Sequence, residues 1–372
     1  MRPVLSDPLA SVLLVDLTAP AAVLANATTE ATRLLPGPAL GGVLLTATGD
    51  GLALAVTDRE HGLRLSRAAL VHEDGEVLVA LRPLAETVRA LDAGQVRLTV
   101  EGSRLALRAP GARFGLPLLD RELHPGVPEP PPAAGSVPGS ALRAAVEAVA
   151  SAASREDALP IFTGLRLWTG DGTLTLLATD RYRMAMATLA WSGERLDLLA
   201  PAGVLSGLAR RLGEGPVALG ADSDRLGLRW DRDWLGTALL AVPFPDERAR
   251  QLMRVEPSGV VELEADALAA AVRRATPFAG PRGTVTLSAW DGELRVHSSD
   301  PHGGESEQSV KASVSGAHGG FVYQARYLLD ALRPFGGGSV RIEQQEGLRP
   351  TVFTGGPGEG VTLTYLVVPM RA

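Results

Sequence analysis

The sequence contains no cysteine, a single lysine, few aromatic residues (4%) and no long apolar run. Each shortage removes a class of function. Without cysteine there is no disulfide, no thiolate metal ligand and no cysteine nucleophile, and the composition suits a reducing compartment. Lys311 follows Val310, so the Gly-Lys pair of a phosphate-binding Walker loop does not occur. The remaining Lys/Arg positions are all arginine, which composition bias explains. No segment reaches the ~18 uninterrupted apolar residues of a membrane span. The N-terminal stretch lacks the charged-then-apolar layout of a signal peptide. GxGxxG, GxSxG and HExxH patterns are missing, and the two nearest histidines, His297 and His302, lack metal-ligand spacing. Asp180 lies beside Arg181 and Arg183 with no nucleophile or base near by. That predicts a salt-bridged loop rather than a catalytic cluster. Nothing in the chain calls for a cofactor.

What the chain does have is one unit written three times. Strand-turn-strand segments at residues 41–58, 163–180 and 283–300 align, with Asp50, Asp171 and Asp291 at their turns, at offsets of 121 and 120. Asp58, Asp180 and Asp300 close them at offsets of 122 and 120. Solenoid repeats recur every 20–50 residues or so; this unit is a whole domain. The 372 residues, 45% hydrophobic and 21% charged, are enough for three such domains, each with its own core. Two proline-containing stretches, 124–139 and 242–259, separate them. The expected domains are 1–130, 131–251 and 252–372.

Each copy reads helix, hairpin, strands, helix, strands. The hairpins alternate apolar and polar residues around an Asp-Gly turn. In the second copy Leu165, Leu167, Leu174, Leu176 and Ala178 share one face and Arg166, Thr173 and Thr175 the other, the pattern of an antiparallel sheet covered on one side. Helices are expected near 19–34, 82–92, 139–155, 201–212, 264–275 and 325–333. Thr18 with Pro20 reads as an N-cap with an early proline. The fold class is α+β, with sheets outside and two helices per unit inside.

The net charge of -6 is unevenly placed. On and beside the six helices stand Arg33, Arg82, Arg89, Arg143, Arg155, Arg210, Arg211, Arg273, Arg274, Arg326 and Arg333. The acids on the same segments are Glu30, Glu86, Asp92, Glu147, Glu156, Glu264, Asp266 and Asp330. The balance is +3 there and -9 elsewhere. Such helices suit an inner surface turned toward phosphate. No base-reading element is present, so nucleic-acid contact would be sequence-independent.

Residues 159–191, with ATDRYRMA at their centre, resemble the second domain of the bacterial sliding clamp family, the beta subunit of DNA polymerase III. PFPDERAR (243–250) resembles that family's domain linker, GFVYQARYLLDAL (320–332) its third-domain helix start, and YLVVPMRA (365–372) its ending. The resemblance implies three clamp domains forming half of a closed ring. A head-to-tail homodimer would encircle double-stranded DNA without catalysis and tether the replicative polymerase alpha subunit, the clamp loader and other polymerases or repair proteins. No membrane partner is implied, and the location is cytoplasmic, at the nucleoid. Arg33, Arg82, Arg89, Arg143, Arg155, Arg210, Arg211, Arg273 and Arg274 would face DNA.

Carried over by motif, a partner-peptide groove takes Phe162, Thr179, Arg181, Tyr182, Arg183, Met184 and Pro245 from the second domain and linker. From the third it takes Gln324, Tyr327, Leu366, Val368, Pro369, Met370 and Arg371. Methionine and aliphatic residues suit several peptides. Segment 113–119 matches the first-domain edge strand, placing Phe114 and Leu116 opposite the partner protomer's Phe278 position. Three departures stand out: Ala372 where a larger apolar residue is common, 200–204 without a basic pair, and Glu247 and Ala249 in the linker. They leave open a divergent paralogue, specialised or inhibitor-resistant, or a peptide-binding scaffold that no longer loads on DNA.

Overall fold

The computed structural model describes residues 15–156, 158–316 and 319–371. The N-terminal stretch and Ala372 therefore lie outside the described residues. The chain divides into two compact units. One holds the described residues up to Pro132 together with Arg225–Ala238; the other holds Ala133–Asp224 and the described residues from Leu239 onward.

In the first unit strand Asp16–Pro20 runs without a break into helix α1 (Ala21–Leu34), and Gly75–Ala80 runs into α2 (Leu81–Ala90). In the second unit Gly135–Pro138 enters α3 (Gly139–Ala150) and Asp197–Pro201 enters α4 (Ala202–Ala209). A short helix, α5 (Asp246–Leu252), comes next, where the sequence suggests only a linker. Gly259–Glu264 then enters α6 (Ala265–Ala275), and Gly320–Gln324 enters α7 (Ala325–Leu332). The six repeat helices pack as neighbours α1 with α2, α3 with α4 and α6 with α7.

This direct strand-to-helix entry corrects the expected cap at Thr18. Thr18 lies within the strand, its hydroxyl 3.2 Å from His72 Nε2, and Pro20 precedes the helix. None of these helices has a side-chain N-cap bond. Backbone does the work instead. The first N–H groups of α1, α3 and α6 donate to the carbonyls of Gly94, Gly215 and Gly338, at 3.2, 2.8 and 3.0 Å. Those carbonyls satisfy donors that would otherwise be orphaned at the helix start. Gly139 is required there, because a Cβ would meet the Gly213 carbonyl oxygen at 2.4 Å.

The sheets are antiparallel. In the first unit five strands run in the order Leu70–Glu73, Asp16–Pro20, Gln95–Glu101, Arg104–Ala109, Ala112–Pro117. A second sheet there pairs the hairpin Arg225–Trp230 and Asp233–Ala238 with His61–Arg67, followed by Gly51–Thr57, Gly42–Thr48 and Gly75–Ala80. In the second unit Arg183–Ala190 pairs with Thr362–Val367, joining strands of the second and third copies in one sheet. A four-stranded sheet, Gly304–Lys311, Glu293–Asp300, Thr284–Trp290, Gly320–Gln324, completes the third copy.

Leu165, Leu167, Leu174, Leu176 and Ala178 are buried on one face, as expected. The opposite face is not simply solvated. Leu177 and Met184 are also buried, because α5 lies over them. The turns differ too. Asp171 and Gly172 both have positive φ, 51° and 71°, as a tight two-residue hairpin requires. In the first copy the last pair is Thr48 with Gly51, so its turn is Gly49–Asp50, and Gly51 takes the positive φ.

Candidate functional site

The repeated closing aspartates have one local job. Asp58 Oδ1 accepts the N–H groups of Glu60 and His61 at 3.1 and 2.7 Å. Asp180 Oδ1 accepts those of Tyr182 and Arg183 at 3.1 and 3.0 Å. Asp300 Oδ1 accepts those of His302 and Gly303 at 2.8 and 2.7 Å. Each carboxylate folds the chain back on itself in an Asx turn. Arg59 and Arg181 are consequently held at positive φ, 86° and 79°.

In the second copy this turn carries a ladder of rings and guanidinium groups. Arg181 lies 5.8 Å from the ring centres of both Phe162 and Tyr182. The Tyr182 ring is 6.3 Å from that of Tyr327 and nearly parallel to it. Arg183 and Arg326 lie 4.5 and 4.7 Å from the Tyr327 ring centre. These are cation–π separations. Arg183, largely buried, binds Asp180 at 2.9 Å and Asp330 at 2.5 Å. Burial opposes its charge, but Tyr365, Asp330 and Asp180 outweigh that and hold its pKa above the ordinary arginine value. Asp180 is thus a salt-bridged turn residue, as expected. Tyr365 is itself buried, bonded to Ser151 Oγ at 3.0 Å, and burial pushes its pKa up to about 12.

The chain end closes on this loop. The Val368 N–H donates to the Tyr182 carbonyl at 2.9 Å and the Met370 N–H to Val322 at 2.7 Å. Pro369 between them is buried, and Arg371 is exposed. Met184 and Leu366 meet in one apolar cluster with Leu177, Ala249 and Val352, against which Phe244 packs. Thr179 Oγ1 donates to the Arg183 carbonyl at 2.7 Å, so it fixes the turn. Gln324 stands apart from the ladder in its bonding: its amide donates to the Arg282 carbonyl at 2.6 Å. Pro245 is exposed at the start of α5 and accepts from Ala249 N–H.

Sequence reasoning missed the second-face residues Trp168, Leu177, Met186, Phe244 and Met253. A signal was present. Leu177, Met184 and Met186 break the apolar-polar alternation on the face read as solvated.

The basic residues need one correction. α3 ends at Ala150, α4 at Ala209, α2 at Ala90 and α7 at Leu332, so Arg155, Arg210, Arg211, Arg333, Glu156 and Asp92 lie beyond the helices. Glu264 precedes α6. Seven arginines and five acids remain within the six helices. The helices stop short because i→i+3 bonds replace the α-helical ones at their ends, from Leu91 to Val88, Ala153 to Ala150 and Leu212 to Ala209. Arg33, Arg89, Arg155, Arg210, Arg211 and Arg273 are exposed and make no hydrogen bond or ion pair among the described residues. Arg143 donates to the Leu212 carbonyl, Arg82 to that of Pro36 and Arg274 to Gln308.

Strand Ala112–Pro117 is the outer strand of its sheet, with Phe114 40% exposed and Leu116 buried. Phe278 is half-buried in a 3-10 turn (Thr276–Phe278) beside Gly304, at the start of another outer strand. Among the described residues no group of three His, Asp or Glu could hold a metal, and no helix is long and apolar enough to cross a membrane.

Three antiparallel α+β copies of this kind define a three-domain clamp fold. Residues 21–128, 136–246 and 250–371 match the N-terminal, central and C-terminal domains of the DNA polymerase III beta subunit. The beta sliding clamp of Streptomyces coelicolor is 31% identical over 367 residues, covering 94% of this chain and 97% of that protein. The "Beta sliding clamp homolog GriR" of Streptomyces muensis is 31% identical over 302 residues, covering 79% and 80%. Among solved structures, the Bacillus subtilis sliding clamp superposes with a TM-score of 0.87 at 19% identity, covering 96% of this chain and all of that one. A Pseudomonas aeruginosa clamp bound to griselimycin gives 0.87 at 24%, with the same coverage. The chain belongs to the DNA polymerase III beta subunit family, whose members are non-catalytic sliding clamps of DNA replication.

Proposed function

We propose that the protein is a DNA sliding clamp: a homodimer of three-domain protomers, with boundaries near 130 and 251, closing head to tail around duplex DNA. It tethers the polymerase alpha subunit and other replication or repair proteins through a groove at Tyr182, Met184, Leu366 and Val368. The observation that carries this reading is the seating of the chain end on the Asp180 turn. It puts an aromatic-cationic ladder beside an apolar cluster at the positions the family motifs occupy. The unpaired arginines supply weak, sequence-independent attraction to phosphate. Phe114 on one outer strand and Phe278 beside another supply the contact between protomers, and pairing there would cover exposed strand edges. On the first edge Arg108 and Arg113 are paired with Glu101 and Arg104 is exposed, while the second edge carries exposed Glu305 and Glu307, so a match of opposite charge there would rest on Arg104. The expected location is the cytoplasm, at the nucleoid.

A second reading, a divergent clamp beside a standard one, is favoured by one observation: Ala202 and Gly203 open α4 where the family often carries a basic pair. Retention on nicked circular DNA, with the cognate clamp loader and ATP, tests both. A clamp is retained and lost when the circle is linearised. Absence of retention with an active loader overturns the sliding-clamp reading and leaves a peptide-binding scaffold.

A further inference from the structure

A cavity of about 260 Å³ lies between α5 and the sheet face that carries Leu177 and Met186. Its floor is the outer sheet face, Trp168, Leu177 and Met186; its wall is Ala249 and Met253. A dry cavity of ~150 Å³ already accepts a benzene ring, so this one has room for an aromatic side chain. Methionines on two sides let it adapt in shape.

The end of the cavity is rigid. Arg166 is largely buried and spans Asp197 at 2.6 Å and Asp246 at 3.1 Å. It also donates to the carbonyls of Leu167 and Leu198 at 3.2 Å and lies 6.0 Å from the Trp168 ring centre. Burial opposes its charge, and the two aspartates more than offset that. Arg166 therefore clips α5 to the sheet and has little capacity left for a ligand. The mouth is different. Arg195 is 82% and Arg250 71% exposed. Each has one solvent-exposed carboxylate partner, Asp197 and Glu247 respectively, and such pairs exchange at little cost. An apolar hole with two mobile guanidinium groups at its rim fits an aromatic side chain next to a carboxylate.

The cavity is also continuous with the proposed groove. Leu177, Met186, Ala249 and Met253 belong to the apolar cluster that contains Met184 and Leu366. We infer that this cavity is a second recognition pocket, and that partner proteins fill it with an aromatic residue flanked by an acidic one. The inference rests on the groove reading for its biological use, not for its chemistry.

The five methionines separate the two sites. Met186 and Met253 line or border the cavity; Met184 and Met370 belong to the groove reading. With methyl-13C-methionine labelling of the full-length dimer, N-acetyl-Phe-Asp-amide should shift Met186 and Met253 saturably at millimolar concentration or below. N-acetyl-Ala-Asp-amide should not. The double variant Arg195→Glu, Arg250→Glu should weaken the effect by ~10-fold or more, while the Met184 and Met370 methyls, away from the cavity lining, stay where they are and report an intact fold. Shifts confined to Met184 and Met370, no saturable shift, or indifference to the double variant would each overturn the pocket. Failure of the groove reading would register separately, as a polymerase clamp-binding peptide that leaves Met184 and Met370 unmoved.

Discussion

The turns at Asp58 and Asp180 use the same backbone device and end in different chemistry. Thr57 and Thr179 each donate to the carbonyl four residues on, at 2.6 and 2.7 Å, and each aspartate takes two N–H groups. The side chains beyond the shared turn differ. Glu60 and His61 come after Arg59 in the first copy, and His61 Nδ1 sits 2.9 Å from Thr237 Oγ1, an inward structural contact. Tyr182 and Arg183 come after Arg181 in the second copy, and Tyr182 remains 54% exposed against Tyr327. A repeated fold thus keeps the turn and changes two side chains, so that a structural corner in the first copy becomes, in the second, the exposed aromatic-cationic surface proposed above as the docking site.

Removing the carboxylates sharpens that contrast most. Asp180→Ala frees two backbone donors and leaves Arg183 with Asp330 alone, so a loss of about 2–4 kcal/mol is expected. Asp58→Ala frees only the backbone donors and should cost about 1–2 kcal/mol. Urea unfolding of both variants checks this; equal losses would break the distinction. Because two units can melt separately, each transition should be fitted on its own.

The next effect is on pH dependence. Tyr365 lies beneath the second turn, and its folded pKa of about 12 exceeds the ordinary value of 10. Its contribution is therefore fully present below pH 10 and is lost as pH rises toward 12. A loss of up to about 2–3 kcal/mol is expected across that window. Tyr365→Phe should remove that part of the alkaline dependence of unfolding; an unchanged slope would remove Tyr365 from the account. The smallest effect is at the rim. Arg326→Ala loses an exposed cation–π contact and should change stability by about 0.5–1 kcal/mol, while calorimetry with a clamp-binding peptide reads its part in binding.

Much of the architecture is legible in the sequence. The three copies, the α+β class and the buried face of the second hairpin follow from period and spacing, which depend on local chain order. The family motifs bring together Phe162, Arg181, Tyr182, Arg183 and Tyr327. The C-terminal ends of α2, α3 and α4 are less legible, because they close through backbone i→i+3 bonds at Leu91, Ala153 and Leu212 that leave no side-chain signature. α5 escapes notice because Asp246–Leu252 looks polar; only its packing on Leu177 and Met184 makes it a helix with a buried side.

The most direct measurement exchanges the differing residue between the turns. Tyr182→Glu and, separately, Glu60→Tyr should both fold normally, because both positions are exposed. Binding of a fluorescent peptide from the cognate polymerase alpha subunit is then titrated. The account predicts a loss of ~10-fold or more for Tyr182→Glu and no change for Glu60→Tyr. Unchanged binding in Tyr182→Glu, or an equal change in both, would contradict the claim that only the second copy's turn serves partners.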